Sequence, residues 1–345
     1  MVGYFFKRLY RSFATKVFDV PSKLLALLLF LLFLSLPATR PSSYILLILI
    51  ISYIYAIFAA SWDLLVGRAG QVSLGHALFF GIAAYTSASL SRFYGLPIWA
   101  TIPLAMLFCA LVAVLLGLPS MRVKGPYLTL VTMAFPLILH TVLFAFPPPI
   151  GGEYGIAGPP RFFPRKFLMG TEFLAEYYLV LFLLFISAII LYKIANSKTG
   201  IVLVSILDDE SASKACGINV TKYKLLAFAI SGMFAGLAGG IYAHTFGAIG
   251  SVSPGGVLGL TTSFYPVIMT IFGGIGTIYG PIMGAFTLWT LMELFQFAAE
   301  LRVIIYVGII VVFIIIWPEG VAKFVVEKLD ELTEKRELEE REKKK

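Results

Sequence analysis

The sequence predicts an all-α membrane protein of about ten transmembrane helices, on three observations of composition and pattern. Hydrophobic residues make up 59% of the 345 positions and charged residues only 13%. Nearly uncharged runs of about 20 residues recur along the chain, the length a helix needs to cross the hydrocarbon core of a bilayer. Stretches such as Leu24 to Leu36 and Ile304 to Trp317 are apolar on every face, whereas a strand of a transmembrane barrel alternates apolar and polar positions. A lipid-exposed backbone must pair its own polar groups, so helices remain.

Taken in order, residues 1–23 form a basic N-terminal segment, with Lys7, Arg8, Arg11, Lys16 and Lys23 against the single acid Asp19. A signal peptide starts the same way, but no convincing cleavage site follows Leu36 and further spans come at once. The polytopic domain is expected over 24–318, with spans near 24–36, 44–66, 67–90, 98–118, 127–146, 174–194, 227–246, 261–272, 281–298 and 303–317. A charged tail helix over 319–345 follows, supported by Glu331/Lys335, Glu337/Arg341 and Glu339/Lys343 four residues apart.

Basic residues set the orientation. Arg68, Arg122, Lys124, Lys193, Lys198, Lys214, Lys222 and Lys224 fall with the N-terminal segment and the tail on one side. Arg40, Arg92, Arg161, Arg165, Lys166 and Arg302 fall on the other. Both termini and the loop 196–224 are therefore expected in the cytoplasm, and the Pro/Gly-rich stretch 147–167 outside as an ordered turn cluster. The net charge of +8 is scattered over loops, which gives no nucleic-acid site. Cys109 lies in a span and Cys216 in a polar loop, so no disulfide is expected.

Three stretches hold candidate functional residues. Gly200 to Leu225 is the longest polar interruption between spans. Asp208 or Asp209 can cap a helix of about two turns there, Lys214 falls in its last turn and Gly217 ends it. Its small face (Ala212, Ser213, Ala215, Cys216) would let a partner approach, and Asp208, Asp209 and Glu210 would fix the register; a solvated helix that touches nothing is the alternative. The second stretch, 67–90, is punctuated by Gly70, Gly75 and Gly81 and brings Gln71, Ser73 and His76 to the start of a span. Broken backbone of this kind is tolerated only against protein or a water-lined cavity, so these three are expected to line a path, the alternative being tight helix packing. Third, Gly232, Gly236 and Gly240, and again Gly276, Gly280 and Gly284, recur at a spacing of four, a pattern that lets helix backbones touch.

Missing chemistry narrows the function. Glycine is never followed by lysine, so no P-loop exists to cradle ATP phosphates. His76, His140 and His244 lie in separate spans without partners four residues away, so neither a metal nor a catalytic site is expected. Of the acids in spans, Asp63 and Glu293 are the main ones. An unpaired charge at mid-bilayer costs about 2.5–3.5 kcal/mol on insertion scales, so Asp63, beside Trp62, is expected near an interface.

GRAGQVSLGHALFFGIAAY (67–85), RVKGPYLTLVTMAF (122–135), GGEYGIAGPP (151–160), SILDDESASKACGINVTKYKLLAFAISGMFAGLAGGIYAH (205–244) and FGGIGTIYGPIMGA (272–285) together resemble the permease subunits of branched-chain amino acid ABC importers, of the LivM type. The resemblance implies a ten-helix, type II importer-like permease in the cytoplasmic membrane, paired with a sister permease. Two cytoplasmic ATPases, which bind the ATP and Mg, would dock on it, and an external binding protein would deliver substrate. Asp208 to Asn219 would be the coupling helix, with Asp208, Asp209, Glu210, Ala212, Lys214, Gly217 and Asn219 meeting the ATPase. Importers of urea and short amides use similar permeases. A single-chain ion-coupled carrier and a membrane enzyme at the DDE loop are the rivals from other classes.

Overall fold

A computed structural model of the chain describes residues 33–39, 41–121, 123, 125–145, 155–163, 171–249 and 256–295, with positions 308, 311–313, 315, 316 and 320. The basic segment 1–23, most of the first and last expected spans, the loop 147–154 and the tail 319–345, apart from Gly320, lie outside the described residues.

Helix α1, Ser43–Asp63, starts at Ser42, whose hydroxyl accepts a hydrogen bond from the Ile45 amide, and runs on into one π-helical turn, Leu64–Arg68. Then follow α2 (His76–Phe93), α3 (Ile98–Ser120), α4 (Pro126–Ala145), α5 (Thr171–Ala195), α6 (Lys198–Asp208), α7 (Glu210–Ala215), α8 (Val220–Phe246), α9 (Leu260–Gly273) and α10 (Tyr279–Leu294). Among the described residues five helical stretches are long and apolar enough to cross a membrane: 43–68, 98–120, 126–145, 173–195 and 220–246. Helix α9, at 14 residues, measures about 21 Å and is too short to cross the core alone.

Helix α1 is the core. It packs against α5, α8, α9 and α10, and α8 packs in turn against α2 and α3. Helices α3, α4 and α5 turn large apolar side chains outward, among them Leu107, Leu115, Leu130, Ile138 and Phe182. Such a surface is stable against lipid or another membrane subunit and not against water.

Glycines set how closely α8 is held. A Cβ at Gly232, Gly236 or Gly240 would lie 2.8 Å from Ala113, 3.0 Å from Cys109 and 3.3 Å from Ile102, all on α3. On the edge of the same strip, a Cβ at Gly239 would run into the Phe80 carbonyl of α2. The second glycine set departs from the expected helical face. Gly276 sits in the turn between α9 and α10, because Gly274, Gly276 and Ile278 all take positive φ and no helix continues through them. Only Gly280 and Gly284 are helical, facing Gly273 and Met269 of α9.

Two further features differ from expectation. The first half of the polar interruption is itself a helix, α6, which buries Gly200, Leu203 and Ile206 and is capped by Ser197. Ser213, expected on the open face of α7, is buried, its hydroxyl donating to the Ser205 carbonyl of α6 at 2.9 Å. At the far end of α8, Ile156 and Ala157 pair antiparallel with Ile249 and Ala248 in a two-residue ladder.

Candidate functional site

The end of the bundle that carries α7 is built from caps. Asp209, in extended conformation, accepts hydrogen bonds from the Ser211 and Ala212 amides at 2.7 and 2.9 Å on one carboxylate oxygen. It is the N-cap, which satisfies two amides left without intrahelical partners. Asp208 closes α6 and is exposed. Gly217 ends the element at φ 81 with open space around it, so backbone conformation and not crowding requires the glycine. Asn219 caps the next helix, accepting from the Lys222 amide at 3.1 Å. The Glu210 carboxylate is shared between Lys214, 2.7 Å away within α7, and Lys224 of α8 at 2.8 Å. Ala212, Ala215 and Cys216 are exposed, leaving a shallow face beside these charges.

Between α1 and α2 the chain is irregular. After the π-turn, residues 71–75 run without helical bonds, and neighbours satisfy their polar groups. The Thr129 hydroxyl donates to the Val72 carbonyl at 3.0 Å, and the Leu74 amide donates to the Thr132 hydroxyl at 3.1 Å. The Trp62 indole donates to the Ser73 carbonyl at 2.7 Å. A cavity of about 750 Å³ opens between this segment and the α7 end, lined among others by Gly70, Gln71, Pro126, Leu207, Glu210 and Lys224.

Of the three expected path residues, only Gln71 faces that cavity. Ser73 is buried, its hydroxyl accepting from the Gly75 amide at 3.1 Å. His76 has no exposed surface and lies 3.0 Å from the Ser231 hydroxyl through Nε2. Ser231 spends its own proton on the Ser61 carbonyl at 2.6 Å, so Nε2 carries the proton and donates. His76 thus fastens α2 to α8 inside the bundle, which corrects the expectation that it faces an open path.

Asp63, the last residue of α1, is fully buried against protein, and its two carboxylate oxygens accept from the backbone amides of Gly276 and Ile278 in the α9–α10 turn, the latter at 2.9 Å. Ile278 has φ 62 and ψ −46, with the Tyr279 amide bonded to the Thr277 carbonyl at 2.8 Å, a strained γ-turn. Sequence reading missed this clasp; the signal available was a buried acid together with a glycine-rich turn offering free amides.

At the other end, His244 is buried as well. Its Nδ1 donates to the Pro160 carbonyl at 2.7 Å and its Nε2 lies 2.8 Å from the Ser87 hydroxyl, while Arg161 donates to the Phe246 carbonyl at 2.8 Å. Residues 155–163 are thereby tied to the end of α8. Among the described residues no three His, Cys, Asp or Glu side chains gather as a metal site would need.

Long apolar helices with outward apolar faces, packed around an irregular segment bonded to its neighbours, define a polytopic membrane protein. The chain belongs to the family described as "Branched-chain amino acid transport system / permease component", which it matches over residues 44–316. It is similar to the high-affinity branched-chain amino acid transport system permease protein LivM of Salmonella typhimurium, 29% identical over 289 residues, covering 77% of this chain and 67% of the relative. The LivM protein of Escherichia coli is 29% identical over 292 residues, covering 78% and 68%. The guanosine ABC transporter permease NupQ of Bacillus subtilis is 27% identical over 200 residues, covering 52% and 60%. No solved structure matches the chain.

Proposed function

We propose that this chain is the LivM-type permease subunit of an ATP-binding cassette importer that moves branched-chain amino acids across the cytoplasmic membrane. The observation that carries the reading is the family match over residues 44–316, supported by two LivM relatives aligned along more than three quarters of the chain. The full layout is the ten-helix, type II importer arrangement, with both termini and α7 on the cytoplasmic side, where the basic residues favour them.

On this reading α7, with its caps at Asp209 and Gly217, is the coupling helix. Ala212 and its small neighbours seat against an ATPase, and Asp208, Asp209 and Glu210 meet its basic groups. Two ATPases bind the ATP and Mg, a sister permease completes the path, and an external binding protein lands near residues 155–163. Closure of the ATPase pair pushes α7 as a rigid body, and the Glu210–Lys224 pair hands that displacement to α8. Gln71, beside the cavity, is the side chain of the broken segment best placed to meet solute.

Reconstitution tests it. Proteoliposomes holding this chain with its sister permease and ATPases should accumulate leucine only when ATP and the binding protein are supplied. Leucine uptake driven by an ion gradient through this chain alone, or uptake of urea in place of leucine, would overturn the assignment.

A further inference from the structure

Five aromatic side chains from five helices meet in the middle of the bundle, away from Gln71 and its cavity. The Tyr55 ring lies between Phe80 and Trp289, nearly parallel to both, at centroid distances of 6.0 and 4.5 Å. Tyr265 meets Tyr55 edge-on at 5.2 Å and Trp289 at 5.5 Å, and Tyr242 meets Phe80 at 5.3 Å. Tyr55 stands eight residues before Asp63 on α1, about 12 Å along the axis from that end, which places the cluster well inside the membrane domain.

Packing accounts for the rings but not for the hydroxyls of Tyr55 and Tyr242. The hydroxyls of Tyr55 and Tyr242 make no hydrogen bond among the described residues, although Tyr53 and Tyr177, elsewhere on α1 and α5, do pair with each other. A hydroxyl that bonds to nothing in the protein is free to meet a molecule beside it, and phenylalanine would fill the same space without offering that contact. Tyr242, Tyr265 and Trp289 are each only half-buried, so the group borders accessible space.

We propose that this cluster is a substrate-contact site on the translocation path for a small zwitterionic amino acid. Its hydroxyls accept hydrogen bonds from the ammonium group, the faces of Trp289 and Tyr265 attract that cation, and the ring edges carry the aliphatic side chain. Such a site discriminates against urea, which brings neither a full charge nor an apolar tail. The proposal rests on the functional reading above.

The experiment is leucine uptake by proteoliposomes holding the whole complex, with ATP and the binding protein. Replacing Tyr55→Phe, Tyr242→Phe and Tyr265→Phe together keeps every ring and removes three hydroxyls. Leucine moved per ATP hydrolysed should fall about tenfold, the loss expected for hydrogen bonds to a charged group, while binding-protein-stimulated ATP hydrolysis and thermal stability hold. An unchanged ratio overturns the site. If the triple variant does not assemble, Tyr242→Phe alone, on a half-buried ring, is read by the same ratio: a fall supports the site and an unchanged value overturns it. A wild-type complex that moves no leucine overturns the functional reading and this site with it. A leucine-moving complex indifferent to the three changes overturns the site alone.

Discussion

Lys224 of α8 holds the carboxylate of Glu210, the first residue of α7, at 2.8 Å, with the lysine side chain 13% exposed. This ion pair joins the short helix to the 27-residue helix that runs along α2 and α3 to the opposite end of the bundle. A partly exposed pair contributes about 1 kcal/mol or less to stability, so its value lies in alignment. Lys224→Met should therefore leave the melting temperature of the complex almost unchanged and lower leucine transport per ATP. Parallel measurements of thermal unfolding and coupled uptake check it; a large drop in melting temperature with intact coupling would contradict the alignment role.

The cap makes a separate prediction. Asp209 satisfies two amides of a six-residue helix that has few other bonds, so Asp209→Ala should cost about 1 kcal/mol, enough to fray so short an element. Asp209→Asn, another good cap, should retain the helix, and Asp208→Ala, which removes no cap, should weaken only a charged contact with the ATPase. Co-purification with the ATPases separates the three: full loss is expected for Asp209→Ala, and partial weakening for Asp209→Asn and Asp208→Ala.

The glycines differ in what they forbid. Gly239→Ala drives a methyl into the Phe80 carbonyl, so α2 and α8 must separate, at about 1–3 kcal/mol. Gly217→Ala meets open space and costs only the strain of a positive φ, about 1 kcal/mol. Thermal unfolding of the purified complex should rank Gly239→Ala well below Gly217→Ala.

What the sequence revealed follows from how local each signal is. Long apolar runs announce α3, α4, α5 and α8 because lipid makes the same demand on every residue of the span. The caps of α7 were legible because Asp209 and Gly217 act on amides and carbonyls within four residues. Spacing also picked out Gly232, Gly236 and Gly240, yet it passed over Gly239, which faces the backbone carbonyl of the sequence-distant Phe80. The placement of His76 and Asp63 was not legible for the same reason. Their partners are Ser231, Gly276 and Ile278, and nothing near either residue in sequence says that these will be opposite.

Asp63 supplies the last prediction. Both of its oxygens are acceptors, and both partners are backbone amides, so the carboxylate fits two donors without a second acceptor being needed. Asp63→Asn keeps the size but turns an amino group toward one of those amides. One hydrogen bond is lost and two donors are forced together, at about 1–3 kcal/mol for the group left unpaired. The γ-turn at Ile278 keeps the bonds of the Thr277 hydroxyl to Gly274 and Gly280 but loses its carboxylate anchor, and an isoleucine at positive φ relaxes once its amide is released. Hydrogen exchange at Gly276 and Ile278 should therefore accelerate by about tenfold or more in the variant, while α8 amides keep their protection. Asp63→Ala should loosen the turn further, because it leaves both amides unpaired. If exchange at these two positions stays slow in both variants, the turn is held by the packing of Gly67 against Gly276 and not by the carboxylate.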